Sequence, residues 1–418
     1  MSDHPDLEKL PLEIDGIPVR ETIREIFRNP ENGTPDNISK AGCLALALKS
    51  NEVGRYELRY MHVVWNAWRE HFPTSKSEDV LKDFNNKVNF EFHDFNHDYS
   101  VLAPTLFDCY LFGDMPSFWG VNFGFVNFRK SSFGFKSSFN FSKFQKSACF
   151  DESNFGALTS FNNADFNSKL SFKRCKFFGA VDFSINDKNH EKFGGAISFD
   201  NSVFSGPVSF NGRKFADTTS FFKCNFAEVP TFHSCELNQD TSFEGSVFPP
   251  ATGSEEAARA YRTLKLAFSK QQAIREEQRF FRLEMEEETL RETGLKRLLF
   301  QAYKTFSDYG FSITRPLKYG GLAVLVLTAL YGLLSWLGQC GLSVQACHFA
   351  PQWLEFSLLQ TLPLPGLDKL SEAASKAFWP QGAWWSFGLS ALVILHKTLS
   401  LAVLFLIGLA LRNLFKLK

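Results

Sequence analysis

The sequence has little of what most functional classes require. It carries no net charge, with 45 Lys and Arg balancing 45 Asp and Glu. That balance excludes a strongly cationic nucleic-acid binder and a highly acidic mimic of one. Its eight cysteines are scattered, with no C-x-x-C pair and no Cys and His at zinc spacing, so no structural metal is expected. Six of them precede residue 250 and are expected to be reduced thiols of a cytoplasmic domain. The opening segment MSDHPDLEKLPLEIDG lacks a basic n-region and an apolar h-region, so no cleaved secretory signal is expected. Nucleophile elbows, Gly-rich phosphate loops and HExxH are missing too. His93 and His97 stand four apart, but strand-like sequence does not turn that spacing into a ligand pair, and both read as surface residues. Neither an enzyme active site nor a cofactor is expected.

What is abundant is phenylalanine, with 48 copies. Phe occupies positions 150, 155, 161, 166, 172, 177 and 183, then 199, 204, 210, 215, 221, 226, 232, 243 and 248, with Leu237 filling one gap. The steps alternate five and six, a period of eleven held for about a hundred residues, which signals a repeat architecture. The residue two before each Phe alternates as well. It is Leu170, Val181, Ile197, Val208 or Thr219 before one Phe of each pair, and Ser153, Ala164, Cys175, Ser202 or Cys224 before the other. The unit is seen cleanly in LSFKRCKFFGA and TSFFKCNFAEV. An eleven-residue period also suits a right-handed coiled coil, but Ser, Asn, Gly and Phe dominate here and are poor helix formers. A short extended stretch with both side chains turned inward fits better.

FNNADFNSKLSFKRCKFFGAVDF (Phe161 to Phe183) resembles the pentapeptide-repeat family, with Phe at the centre of each repeat and every second face one residue longer. The resemblance implies a right-handed quadrilateral β-helix of about 22 residues per coil, in a mainly β soluble part with α-helical caps. INDKNHEKFGG (Ile185 to Gly195) interrupts the pattern and reads as a loop or distorted coil. Some members of that family imitate a DNA duplex with an acidic rod. Residues 118–248 hold 14 Lys and Arg against 12 Asp and Glu, so no nucleic-acid mimicry is expected.

The array spans 84–248, with 84–117 as degenerate first coils. Residues 1–80 read as a mainly helical cap, with one helix around ETIREIF and another from about Val53 to Phe72. The second ends in WNAWREHFP, whose tryptophans would cover the first open coil. After Pro249-Pro250, residues 252–308 begin with a capping-box pattern, Thr252 to Glu255. Two stripes follow, Ala257, Tyr261, Leu264, Phe268 and Ile274, Gln278, Phe281, Met285, and predict a helical hairpin over the other end. Leu295 to Phe306 is amphipathic and a candidate to lie on a membrane surface.

Two stretches, 317–337 and 387–411, are apolar and long enough to be transmembrane α-helices. Lys296, Arg297, Lys304, Arg315 and Lys318 precede the first, and Arg412, Lys416 and Lys418 follow the second. The positive-inside rule then places both termini in the cytoplasm, in a multi-pass protein of the cytoplasmic (inner) membrane. The connector, 338–386, would lie outside, where Cys340 and Cys347 are candidates for a disulfide. Within it, 353–364 (WLEFSLLQTLPL) is too short to span and reads as a re-entrant helix. The order of elements resembles two-helix pore-loop ion channels, with Thr361, Leu362, Pro363, Leu364, Pro365 and Gly366 as the candidate pore loop. TLPLPGLD stands where a potassium filter reads TVGYGD, and its prolines remove backbone freedom a carbonyl ladder needs. His396 and Lys397 lie roughly 22 Å from Arg412 at helical rise. Ionisable residues at that depth mark function by default, the alternative for Lys397 being a side chain that snorkels outward. The expectation is a non-enzymatic β-helical rod for protein interaction or sensing, tethered to the lipid bilayer, with an unidentified protein partner. The alternative is a homo-oligomeric pore regulated by the rod.

Overall fold

The computed structural model describes residues 7–8, 10–35, 37–53, 62–71, 105–186, 192–340, 352–361, 367–379 and 383–415. The chain divides into two compact units, Met1–Thr252 with Glu256–Phe281, and Gly253–Glu255 with Arg282–Lys418.

In the first unit, twenty short strands between Thr105 and Phe226 pair in parallel into four sheets. The sheets are the four faces of a β-solenoid of about five coils. Partners lie twenty-two residues apart through most of it, as in Phe133↔Phe155 and Phe155↔Phe177. The first coils are one residue tighter, as in Asn122↔Lys143. One coil is five residues longer, as in Leu170↔Ile197. That coil holds the interruption expected over Ile185–Gly195, and the structure narrows it. Lys192–Phe193 is a strand, and Phe193 pairs with Phe166 and Phe215 positionally in the same sheet. The five extra residues displaced this Phe from its expected position, so the period concealed it.

The alternation of five and six has a conformational cause. In the five-residue steps the residue two after Phe is left-handed, with φ of 58° at Lys130, 64° at Glu152, 56° at Arg174 and 53° at Lys223. This tight corner consumes one residue fewer than the other. Non-glycine residues resist that conformation, so the repeated ladder contacts on either side must hold it. The six-residue corners stack so closely that a Cβ on Gly156 would lie 2.5 Å from the backbone of Gly134 in the preceding coil.

Four Phe stacks fill the interior. Along Phe128, Phe150, Phe172, Phe199, Phe221 and Phe243, ring centroids lie 4.6 to 5.2 Å apart with planes within 13° of parallel. Rings on opposite faces meet edge to face across the interior, as Phe139 and Phe150 do at 89°. Burying each ring contributes about 1.5–3 kcal/mol, and each aromatic pair about 0.5–1.5 kcal/mol more.

The small residues two before Phe have a second duty that their size alone did not reveal. Ser153 Oγ donates to the Phe128 carbonyl (2.6 Å), Cys175 Sγ to that of Phe150 (2.9 Å), and Ser202 Oγ to that of Phe172 (2.5 Å). Cys224 Sγ donates likewise to the Phe199 carbonyl at 3.0 Å. Each satisfies a carbonyl turned into the core by the left-handed corner. Burial pushes the Cys224 and Cys235 thiols up to about 12, so they serve as donors and packing groups rather than nucleophiles.

Arg213 stands at the same repeat position in another column and is fully buried. Its Nε donates to the Phe183 carbonyl (2.6 Å), as a Ser or Cys would. Its Nη1 and Nη2 reach the carbonyls of Ala164 (2.7 Å) and Phe161 (3.2 Å). Phe183 lies one coil below Arg213 and Phe161 and Ala164 two coils below, so one guanidinium bonds to two successive coils. The Phe193 ring lies 4.7 Å from its centre, and burial lowers its pKa to about 9.

Both solenoid ends are covered. Helices α1 (Val19–Phe27), α2 (Lys40–Val53) and α3 (Val63–His71) stand at the N-terminal end. From α3, Trp65 donates its indole N–H to the Leu111 carbonyl (2.9 Å). Asn66 accepts from the Leu111 N–H and donates to the Cys109 carbonyl, both at 2.9 Å. The amide of Asn66 thus substitutes for a strand at the open edge. At the other end α4 (Glu255–Lys270) and α5 (Ile274–Arg291) form a helical hairpin. Phe268 and Phe280 stack at 5.5 Å, and Phe280 meets Phe243 and Phe248 edge-on. Arg279 Nη1 donates to the Phe243 carbonyl (2.6 Å).

The second unit contains α6 (Gly294–Ser307), α7 (Thr314–Cys340), α8 (Gln352–Thr361), α9 (Leu367–Phe378) and α10 (Ala383–Phe415). Among the described residues, Thr314–Leu337 and Ser386–Phe415, 24 and 30 residues, are the two helices long and apolar enough to cross a membrane. Helix α6 exposes Leu295, Leu298 and Leu299 along one stripe. The connector between the long helices contains α9 as well as the short helix expected from its sequence.

Candidate functional site

The long helices are apolar outside and polar within. Leu322, Leu325, Val326 and Leu333 of α7 are exposed, as are Ile394, Leu395, Leu401 and Phe405 of α10. Such faces suit lipid rather than water. The opposite faces gather polar groups at helical spacing. Thr328, Tyr331 and Ser335 lie on α7, Ser357 and Gln360 on α8, and His396 and Ser400 on α10, all buried.

A hydroxyl chain links the three helices. Thr328 Oγ1 donates to the Val324 carbonyl (2.7 Å), so the Ser357 hydroxyl, 2.5 Å away, is the donor between them. Thr361 Oγ1 donates to the Ser357 carbonyl (2.9 Å) and lies 3.2 Å from His396 Nε2. With the threonine proton committed, Nε2 is the donor, and the neutral imidazole carries its free lone pair on Nδ1. The His396 ring lies 6.0 Å from that of Tyr331 at 21°. Tyr331 in turn meets Phe356 edge-on at 5.2 Å and Trp379 at 6.4 Å.

This cluster is incompletely satisfied. Tyr331 Oη, Gln360 Oε1, His396 Nδ1 and Ser400 Oγ are buried without hydrogen-bond partners among the described residues. Buried polar atoms normally find partners, and an orphan costs about 1–3 kcal/mol. Four orphans on three adjoining helices mark a place where something else can bond.

His396 and Thr361, two of the sequence candidates, are brought together here. Lys397, next along the helix, is half-buried. Leu362, Pro363, Leu364, Pro365 and Gly366 lie outside the described residues, as does Cys347, while Cys340 is the last residue of α7. The pore-loop alternative gains no support from this arrangement, because α8 spends Ser357 and Thr361 on α7 and α10 of its own chain. Sequence reading missed Tyr331, Gln360 and Ser400. Their signal was present, since Thr328, Tyr331 and Ser335 recur at intervals of three and four in an otherwise apolar helix.

A second candidate surface lies on the solenoid exterior. Phe135, Leu158 and Phe178 follow successive members of one Phe stack and fall along a single corner. Leu158 is 47% exposed and Phe178 59%. Leu158, Ala180 and Pro207 continue into a shallow trough of about 370 Å³ on the adjoining face. Leu158 and Phe141, both exposed, also have φ of 61° and 57°. Neither solvation nor backbone preference favours a large apolar side chain there. Charge on the exterior is locally paired instead. Glu152 accepts from Arg129 (2.8 Å) and Arg174 (2.7 Å), and these bonds hold its carboxyl down at about 2.

Comparison with protein-family models, curated proteins and solved structures found no match. The fold and the two sites therefore define the class: a capped, Phe-cored β-solenoid carrying two helices suited to a membrane.

Proposed function

We propose that this chain is a non-enzymatic docking rod anchored in the membrane, its solenoid a Phe-rich form of the pentapeptide-repeat architecture. The carrying observation is the exposed apolar corner of Phe135, Leu158 and Phe178 with its adjoining trough. These side chains lie outside the Phe stacks that fill the interior. Exposed apolar side chains recurring at one corner of a rigid support are a common mark of a protein-binding surface. The partner is a protein that lays apolar side chains along this corner. The basic residues that flank the two apolar spans support an orientation with both termini cytoplasmic.

A photo-crosslinking residue at position 178 or 158 in native membranes tests the docking reading. Discrete adducts of one mass are expected there and not from position 223, another exposed coil position. Adducts that are absent, or identical from all three positions, would count against it. Maleimide labelling of single cysteines at 270 and 369 in intact and permeabilised cells tests the orientation, with only position 369 expected to react before permeabilisation.

A further inference from the structure

Between α7 and α10 runs a crevice of about 480 Å³, lined by Leu317, Gly321, Val324, Leu399, Val403 and Ile407 among others. The size lies within the range of about 300–1,000 Å³ typical of small-molecule sites. Its lining is apolar apart from Thr361 and Ser400. Gly320 permits the two helices to touch, since a Cβ there would lie 2.7 Å from Val403. Gly321 faces open space, with nothing within 4 Å of an added Cβ.

The polar end decides what fits. Ser400 is 6% exposed, and its hydroxyl has no hydrogen-bond partner among the described residues. One helical turn away on the same helix, His396 is fully buried with Nδ1 unpartnered, and it is tied through Nε2 to Thr361 of the crevice wall. Of the residues that line the crevice, Ser400 alone presents an unpartnered polar group, a hydroxyl that both accepts and donates. A wholly apolar occupant would leave it unsatisfied, whereas an occupant with a hydroxyl head can donate to it or receive from it.

Shape separates a slender molecule from a second copy of the chain. A helix is about 10 Å across with its side chains and would cover the crevice without reaching a serine as buried as Ser400. A single alkyl chain can run between Gly321 and Val403 and carry its head to that serine. We propose that the crevice binds a single-chain amphiphile with a hydroxyl head, of the fatty-alcohol class, with Ser400 recognising the head and the Gly321 opening admitting the chain. This does not depend on the docking reading of the solenoid.

The test uses the full chain in nanodiscs of saturated phosphatidylcholine, with radiolabelled dodecan-1-ol as probe and dodecane as the headless control. Saturable binding of one dodecan-1-ol per chain is expected. Ser400→Ala should weaken it about tenfold, the loss of one neutral hydrogen bond, while leaving dodecane uptake unchanged. Gly321→Leu should abolish saturable binding of both. Because Ser400→Ala only removes an unpaired hydroxyl, it should fold at least as well as the parent and keeps the test decisive should Gly321→Leu fold poorly. Non-saturable uptake alike in all three proteins would overturn the proposal, as would equal dodecan-1-ol affinity with and without the Ser400 hydroxyl. A Gly321→Leu protein whose oligomeric mass falls while the parent binds no alcohol would assign the crevice to a second copy.

Discussion

The solenoid and the helical unit handle buried polar groups in opposite ways. Inside the solenoid, inward carbonyls are met by Ser and Cys side chains and, for those of Phe183, Ala164 and Phe161, by the guanidinium of Arg213. Among the helices, five buried polar atoms on α7, α8 and α10 are left without partners among the described residues. A repeat solves its hydrogen-bonding problem once and copies the answer along the rod. An aperiodic helical cluster has no such constraint, and its orphans are free to serve a ligand. The difference teaches where to look for function in each unit, on the outside of the first and on the inside of the second.

The largest effect expected contrasts inward and outward rings. Phe161→Ala should cost about 3–5 kcal/mol by opening a cavity in a continuous stack, whereas Phe178→Ala should stay within about 0.5 kcal/mol. Denaturant unfolding of the detergent-solubilised chain reads both, and equal costs would break the inward–outward distinction. Next, Arg213→Met keeps most of the side-chain volume but strips the carbonyls of Phe183, Ala164 and Phe161 of their donor. A loss of about 3 kcal/mol is expected, and Arg213→Lys should recover only part of it because a single ammonium cannot span three carbonyls.

A matched pair sharpens the comparison between units. Ser153→Ala removes the donor to the Phe128 carbonyl and the acceptor for the Ser131 N–H, at a cost of about 1–2 kcal/mol. Tyr331→Phe removes an orphan hydroxyl and should be neutral or stabilising in thermal unfolding. A costly Tyr331→Phe would show that the hydroxyl is already satisfied.

The smallest effect concerns pH. Burial raises Asp108 from 3.8 to about 6, and its Oδ1 lacks a partner among the described residues. The folded state therefore holds this proton more tightly than the unfolded chain does. Stability should fall as pH rises from about 4 to about 6, and Asp108→Asn should flatten that slope in urea titrations.

Much of this was legible in the sequence because a period of eleven leaves little freedom. The Phe steps, the alternating neighbours and the coil length all follow from side chains that must point into one narrow interior. Phe193 escaped because five inserted residues broke the count. Arg213 escaped because a long cation at a position otherwise held by Ser, Ala and Cys looks like an error in the pattern. Its role appears only when carbonyls two coils away are brought beside it. Helix α2 carried no apolar stripe to announce it, whereas α9 had one in Leu367, Leu370, Ala374 and Phe378 that went unread. The cluster around His396 was half visible: a histidine in an apolar span draws notice, but its link to Thr361 joins residues thirty-five positions apart. That link is a product of packing, not of spacing.

The most direct test of the docking account replaces Phe135, Leu158 and Phe178 together by Ser in the full chain. Unfolding should remain within about 1 kcal/mol of the parent, because these side chains lie outside the core. A photo-crosslinker at position 180, on the same face, should then lose the adduct that it forms in the parent. A marked loss of stability would make the strip structural, and an adduct that survived would place the partner elsewhere; either result would contradict the account.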